Sequence, residues 1–286
     1  MTLYSEGQRA ERAAAAAEDE IEDFLHDTSP GVIKALLTNR WLTEEHILAL
    51  TNRKNLPPEI IEIIAKDRRW PDSYSLRLAI ARNPRTPLFV SLSTARYLRL
   101  FDLADITRDH FIPIAFRQKI EAMIVERIPA LPLGIKKTLA RRAAGNVLFK
   151  LLQSRDQAVV QACLSNPQLM EHHLFKYICL ENSIPETIRM IAVHPKWSCR
   201  PSIRMSLARN AHTPLSCCAV FFRGLPAQDL RELHADPLVP VSIKPLVHRE
   251  LRERGLEARQ PAPEEMLYEL DDTEEEQMDF PDDDAG

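Results

Sequence analysis

The chain reads as an all-α protein, a solenoid of short stacked helices built by duplicating one long unit. Three observations predict this class. Slid against itself by 127 positions, the chain aligns over residues 32–127 and 159–254 without a gap, with about 30 of 96 pairs identical. Self-similarity at a fixed long period is the signature of repeat architectures. Apolar residues recur at helical intervals without the strict alternation of strands. Only seven glycines stand against 21 prolines. Few glycines disfavour a sheet-rich chain with many positive-φ turns, and many prolines suit helices that start and stop often.

The duplication is visible block by block. Asn39 to His46 lies over Asn166 to His173, Pro58-Glu59 over Pro185-Glu186, and Trp70 over Trp197. The clearest stretch sets Arg77 to Leu88 (RLAIARNPRTPL) over Arg204 to Leu215 (RMSLARNAHTPL). Asp102-Leu103, Asp109, Pro113 and Glu126-Arg127 recur as Asp229-Leu230, Asp236, Pro240 and Glu253-Arg254. Pro132 to Leu152 falls opposite Ser5 to Leu25, so each unit opens with a weakly matched helical segment. The expected organisation is therefore a disordered N-terminus (1–7), a first solenoid unit (8–128), a second unit continuous with it (129–256), and an acidic disordered tail (257–286).

Taken in chain order, the elements carry their own boundary marks. Ser29-Pro30, Asp72-Ser73 and Asp156 are candidate N-caps, because a short side-chain oxygen there accepts from the first free helical N–H groups. Ile60, Ile61, Ile63 and Ile64 fill one side and part of the flanks of a short helix. Leu76, Leu78, Ala79, Ile80 and Ala81 are apolar nearly all round, as are Ile203, Met205, Leu207 and Ala208; such helices are buried on most sides. Asn83-Pro84-Arg85-Thr86-Pro87 ends one helix and starts the next. Asn83 is expected in left-handed geometry at the helix end, Thr86 as N-cap and Pro87 at the first helical position. Asn210 to Pro214 repeats the device without its first proline. Ile112, Ile114, Ala115, Ile120, Ile124 and Ile128 mark a further helix.

The pattern A-R-N-P-x-T-P-L, followed by leucines and an Asp before the next proline-started helix, resembles the HEAT-like and leucine-rich-repeat-variant families. Residues 39–124 and 166–251 carry the resemblance. It implies a curved, right-handed superhelix whose concave face serves as an interaction surface, and it says little about the ligand. Some repeat-variant proteins carry an N-terminal cysteine cluster for an iron–sulfur group. No cysteine precedes Cys163 here, so that cofactor is not implied.

Composition narrows the class of function. The formal charge of −4 is the sum of −6 over residues 1–27, +14 over 28–259 and −12 over 260–286. Acidic ends can simply keep a chain soluble. They can also compete for a basic body that binds an anion, an interaction that salt would weaken. Five cysteines, all from Cys163 onward and none in a C-x-x-C pair, read as small buried hydrophobes in a reducing cytoplasm. No signal peptide and no membrane-length apolar run is found.

Catalytic signatures are missing: no phosphate-binding loop, dinucleotide fingerprint or nucleophile elbow occurs. His46 and His173 occupy matched positions near Glu44 and Glu171, but without the i, i+4 spacing of a zinc helix. No metal and no cofactor is expected, and the chain is expected not to be an enzyme. Six residues stand out as candidate binding residues: Arg77, Arg82, Arg204, Arg209, Trp70 and Trp197. The arginines fit either bonds to carbonyl ends of neighbouring helices or a basic stripe that takes phosphate or acidic side chains. The tryptophans fit either wedges between repeats or aromatic anchors for a partner. The expectation is a monomeric cytoplasmic scaffold for a protein or peptide partner, with a nucleic-acid-binding solenoid as the alternative and no role at a membrane.

Overall fold

The computed structural model describes residues 4–256. Among them the chain is all-α, with 18 α-helices, two short 3-10 turns and no strand. In order the helices are α1 (Glu6–Ala15), α2 (Ile21–Leu25), α3 (Pro30–Leu36), α4 (Glu44–Thr51), α5 (Pro58–Lys66), α6 (Tyr74–Arg82), α7 (Leu88–Ala95), α8 (Leu100–Arg108) and α9 (Ile114–Arg127). They continue as α10 (Leu133–Arg142), α11 (Gly145–Leu152), α12 (Gln157–Leu164), α13 (Glu171–Ile178), α14 (Pro185–Val193), α15 (Pro201–Arg209), α16 (Leu215–Arg223), α17 (Ala227–Ala235) and α18 (Lys244–Glu253). Most have eight to ten residues, too short to persist alone. Their stability must come from caps and packing.

The caps are where the sequence marks them. Ser29, Ser73 and Asp156 each accept from backbone N–H groups in the first turn of α3, α6 and α12. Ser5 caps α1 in a reciprocal box with Gln8, so the helix begins at Glu6, within the stretch 1–7 expected to lack structure. The expected acidic tail, 257–286, lies outside the described residues.

The Asn-Pro-x-Thr-Pro device works differently from the expectation. Asn83 is extended (φ −76°, ψ 124°), not left-handed. The following proline disfavours helical geometry at that residue, and extended backbone releases the chain just as well. Its buried amide is used instead to donate to the carbonyls of Thr51 (2.6 Å) and Arg53 (2.9 Å). Thr86 is not an N-cap: its hydroxyl donates back to the Ile80 carbonyl (2.6 Å), and Pro87 is the cap residue of α7. Thr213 does the same to Leu207 (2.6 Å).

The chain divides into two compact units, Met1–Ser206 and Leu207–Gly286. In the first, helices pack on their next or next-but-one neighbours: α1 on α3, α2 on α4, α4 on α6, α7 on α9, α10 on α12 and α12 on α14. Nothing interrupts this across residues 128–129, where α8 packs on α10 and α9 on α11. A core of Ile33, Leu36, Ile47, Leu50, Ile61 and Ile64 is almost fully buried in its N-terminal part. In the second unit α16 and α17 both pack on α18, around Phe222, Leu230, Leu233 and Val247. Leu76, Ile80 and Ala81 of α6 are buried, but Leu78 and Ala79 stay partly exposed, so the helix is buried on one side and not on most.

Side chains tie helix ends to carbonyls earlier in the chain. Asn39 donates to Ala13 (3.0 Å) and Ala16 (2.9 Å); Asn166 donates to Ala140 (2.8 Å) and Ala143 (3.0 Å). Donor and both acceptors correspond atom for atom under the same sequence offset that aligns Trp70 with Trp197. Each asparagine is buried, and its oxygen accepts from the backbone two residues on. Buried amides with both ends satisfied contribute both stability and register.

Candidate functional site: an aromatic and basic cleft

The cleft begins where α5 ends. Asp67 grips Arg69 through two carboxylate oxygens (Arg69 Nη2 to Oδ2 2.6 Å, Nε to Oδ1 3.1 Å). That hydrogen-bonded guanidinium holds the Asp67 carboxyl below its usual range. Arg69 also donates to the carbonyls of Leu37 (2.6 Å) and Asn39 (3.1 Å) and lies 4.4 Å over the Trp70 ring. One arginine therefore fixes the loop that carries Arg68 and Trp70.

Between this loop, α6 and the end of α7 lies a cleft of about 550 Å³. Ile64, Leu76 and Ile80 line its apolar part, and Arg68, Trp70, Arg77 and Tyr97 its polar and aromatic part. Its volume falls within the range of small-ligand and side-chain pockets. Tyr97 is 64% exposed, with the Arg77 guanidinium 4.7 Å above its ring. Arg77 is held in place by donating to the Pro71 carbonyl and lies 3.6 Å from Asp72. Among the described residues Arg68 makes no ion pair, so its charge is available at the rim.

The structure thus brings together Trp70 and Arg77 of the six candidates. The other four are engaged elsewhere. Arg82 ends α6 at 4.0 Å from Asp105, which Arg142 of α10 also contacts. Arg204 repeats the contact of its counterpart Arg77, donating to the Ser198 carbonyl (2.7 Å). Arg209, in the second unit, binds Asp236 (2.7 Å) and Glu232 (2.7 Å); the Asp236 hydrogen bond raises its pKa and lowers that of Asp236. Arg204 thus holds a backbone carbonyl, as Arg77 does, Arg209 holds two carboxylates and Arg82 lies near one; none of the three lines the cleft.

Trp197 must be corrected outright as a surface anchor. It is 2% exposed, and its indole N–H donates to the Leu164 carbonyl (3.0 Å). A buried indole needs such a partner, and this one makes it a core wedge. Trp70 is only partly buried, packed against the N-terminal core beside the cleft, so the matched tryptophans differ in use.

Tyr97 escaped the sequence reading because it has no counterpart: Gly224 stands at the matched position. The usable signal is that difference, since a site present on one side of the match only must rest on residues the other side lacks. His46 and His173 prove to be capping residues. Their Nδ1 atoms accept from the backbone N–H of Thr43 and Met170 at 3.2 Å each. Among the described residues no group of three His, Cys, Asp or Glu side chains is placed to hold a metal ion. Nor is any described helix long and apolar enough to cross a membrane. No family model, curated protein or solved structure matches the chain.

Proposed function

We propose that the chain is a non-enzymatic, HEAT-like helical-repeat scaffold, a right-handed solenoid made by duplication, that binds a protein or peptide segment in the Trp70–Tyr97 cleft. Three kinds of bond that recur at matched positions support the duplication: Asn39 and Asn166, Thr86 and Thr213, Arg77 and Arg204. The observation that carries the binding reading is Tyr97, a large aromatic left 64% exposed under a pinned arginine at the mouth of a pocket. Tyr, Trp and Arg are the residue types that dominate binding energy at protein interfaces, and pre-positioned side chains lose little entropy on binding. A cytoplasmic setting accords with five free cysteines.

The test is selection of peptides from a display library on the full chain, followed by anisotropy titrations. Y97A and W70A are expected to weaken the selected peptides about tenfold or more. Unchanged affinity in the double variant removes this reading.

The +14 charge of residues 28–259 favours a second reading, nucleic-acid binding weakened by residues 260–286. A mobility assay with and without those residues, at several salt concentrations, decides it. Binding that strengthens on their removal and falls steeply with salt supports it. No binding at low salt by the shortened chain refutes it.

A further inference from the structure

A second cleft, of about 310 Å³, opens between α10 and α12. Lys137 and Arg141 line one side, one turn apart on α10; Gln161 of α12 and Ser165, which caps its C-terminal end, line the other. Ala158, exposed at the mouth, and the buried Ala162 leave the space open, and no carboxylate lines it. Among the described residues neither cation has an ion-pair partner, whereas the next residue, Arg142, is taken up by Asp105. Like charges one turn apart on a helix repel. The positions matched 127 residues earlier are Ala10 and Ala14 of α1, so packing of such a helix pair does not require cations. The neighbouring Asn166 is already spent on Ala140 and Ala143.

Two unpaired cations facing an amide and a hydroxyl present more donors than a carboxylate can use. They match a doubly charged oxyanion, for which a guanidinium supplies paired N–H groups and an ammonium a point charge. We propose that this cleft binds a phosphate monoester dianion, with Lys137 and Arg141 holding the charge and Gln161 and Ser165 donating to the remaining oxygens. The volume, at the small end for ligand sites, suits a phosphoryl group and its immediate attachment. The site is separate from the Trp70–Tyr97 cleft and does not depend on its ligand.

The full chain is titrated with inorganic phosphate and, separately, with a short blocked phosphoserine peptide, at constant ionic strength set with chloride, while backbone amide shifts are followed by NMR. Saturable shifts are expected over 137–141 and 158–165. K137A/R141A should weaken binding about tenfold or more. A158W keeps both cations but fills the mouth, and should weaken binding as much. If the double variant loses its helical circular dichroism, K137Q at an exposed position reports on the same contact. Tighter binding of the phosphopeptide identifies an attached phosphate as ligand; tighter binding of inorganic phosphate identifies a free one. Shifts that do not saturate with either probe, or A158W binding like wild type, overturn the proposal, because the cations then act only as a diffuse field.

Discussion

Asn39 illustrates how much a single side chain carries in this molecule. Its buried amide closes the ends of two neighbouring segments, and no other residue type offers two N–H donors and an oxygen acceptor in that shape. Replacing Asn39 or Asn166 by alanine strands two buried carbonyls, and is expected to cost about 1–3 kcal/mol each in chemical denaturation. The tryptophans should separate in the same assay. W197F loses the bond to Leu164 and is expected to destabilise by about 1 kcal/mol, while W70F stays near neutral. His173 adds a pH dependence. Burial, with smaller effects from His172 and Lys176, lowers its pKa from 6.5 to about 4, so the folded state prefers the neutral ring. Its contribution is complete above about pH 6.5 and is lost as pH falls toward 4. In H173Q an amide oxygen can still accept from the cap N–H, and the decline of the melting temperature between pH 6.5 and 4 should become shallower.

At the scale of the element, start signals were more legible than stop signals. Serine and aspartate caps act locally, through bonds to backbone two or three residues on, so Ser29, Ser73 and Asp156 could be found in the sequence. Asn83 and Thr86 mark the boundary by other bonds than expected: Asn83 donates to the distant carbonyls of Thr51 and Arg53, which leave no local trace, and Thr86 donates back to Ile80 at the end of the preceding helix instead of forward into the next. The start of α11 was equally hidden. Gly145 has φ of +57°, and Glu121 of α9 reaches over it to accept from the Asn146 N–H (3.1 Å) and side-chain amide (2.9 Å). This carboxylate caps a helix from another element, where the helix dipole favours negative charge. A Cβ at position 145 would overlap that carboxylate as well as strain the backbone. G145A should therefore cost more than the roughly 1–2 kcal/mol of the left-handed geometry alone, measured by the denaturation midpoint.

For the whole molecule, the all-α class could be read from periodicity and proline placement, and the matched residues led directly to the recurring bonds. The candidate site was only half legible. Arg77 and Trp70 stand out because they recur at the 127-residue offset, yet the same criterion admits Trp197, Arg204 and Arg209, none of which lines the cleft. Similarity at a fixed offset favours residues with a shared structural task. Tyr97, and the Lys137–Arg141 pair, do not recur at that offset and stay invisible to that criterion. The ties described above have one more consequence, in time. The bonds made by Asn39, Arg53, Arg69, Asn83, Asn166 and Trp197 to main-chain carbonyls reach back 23 to 33 residues. During synthesis each donor follows its acceptor by about 1–7 seconds at ordinary elongation rates. Helix formation and loop closure are far faster than that. The nascent chain can therefore fasten each tie soon after its donor leaves the ribosome, and the part of the first unit that has emerged at a pause would already be locked.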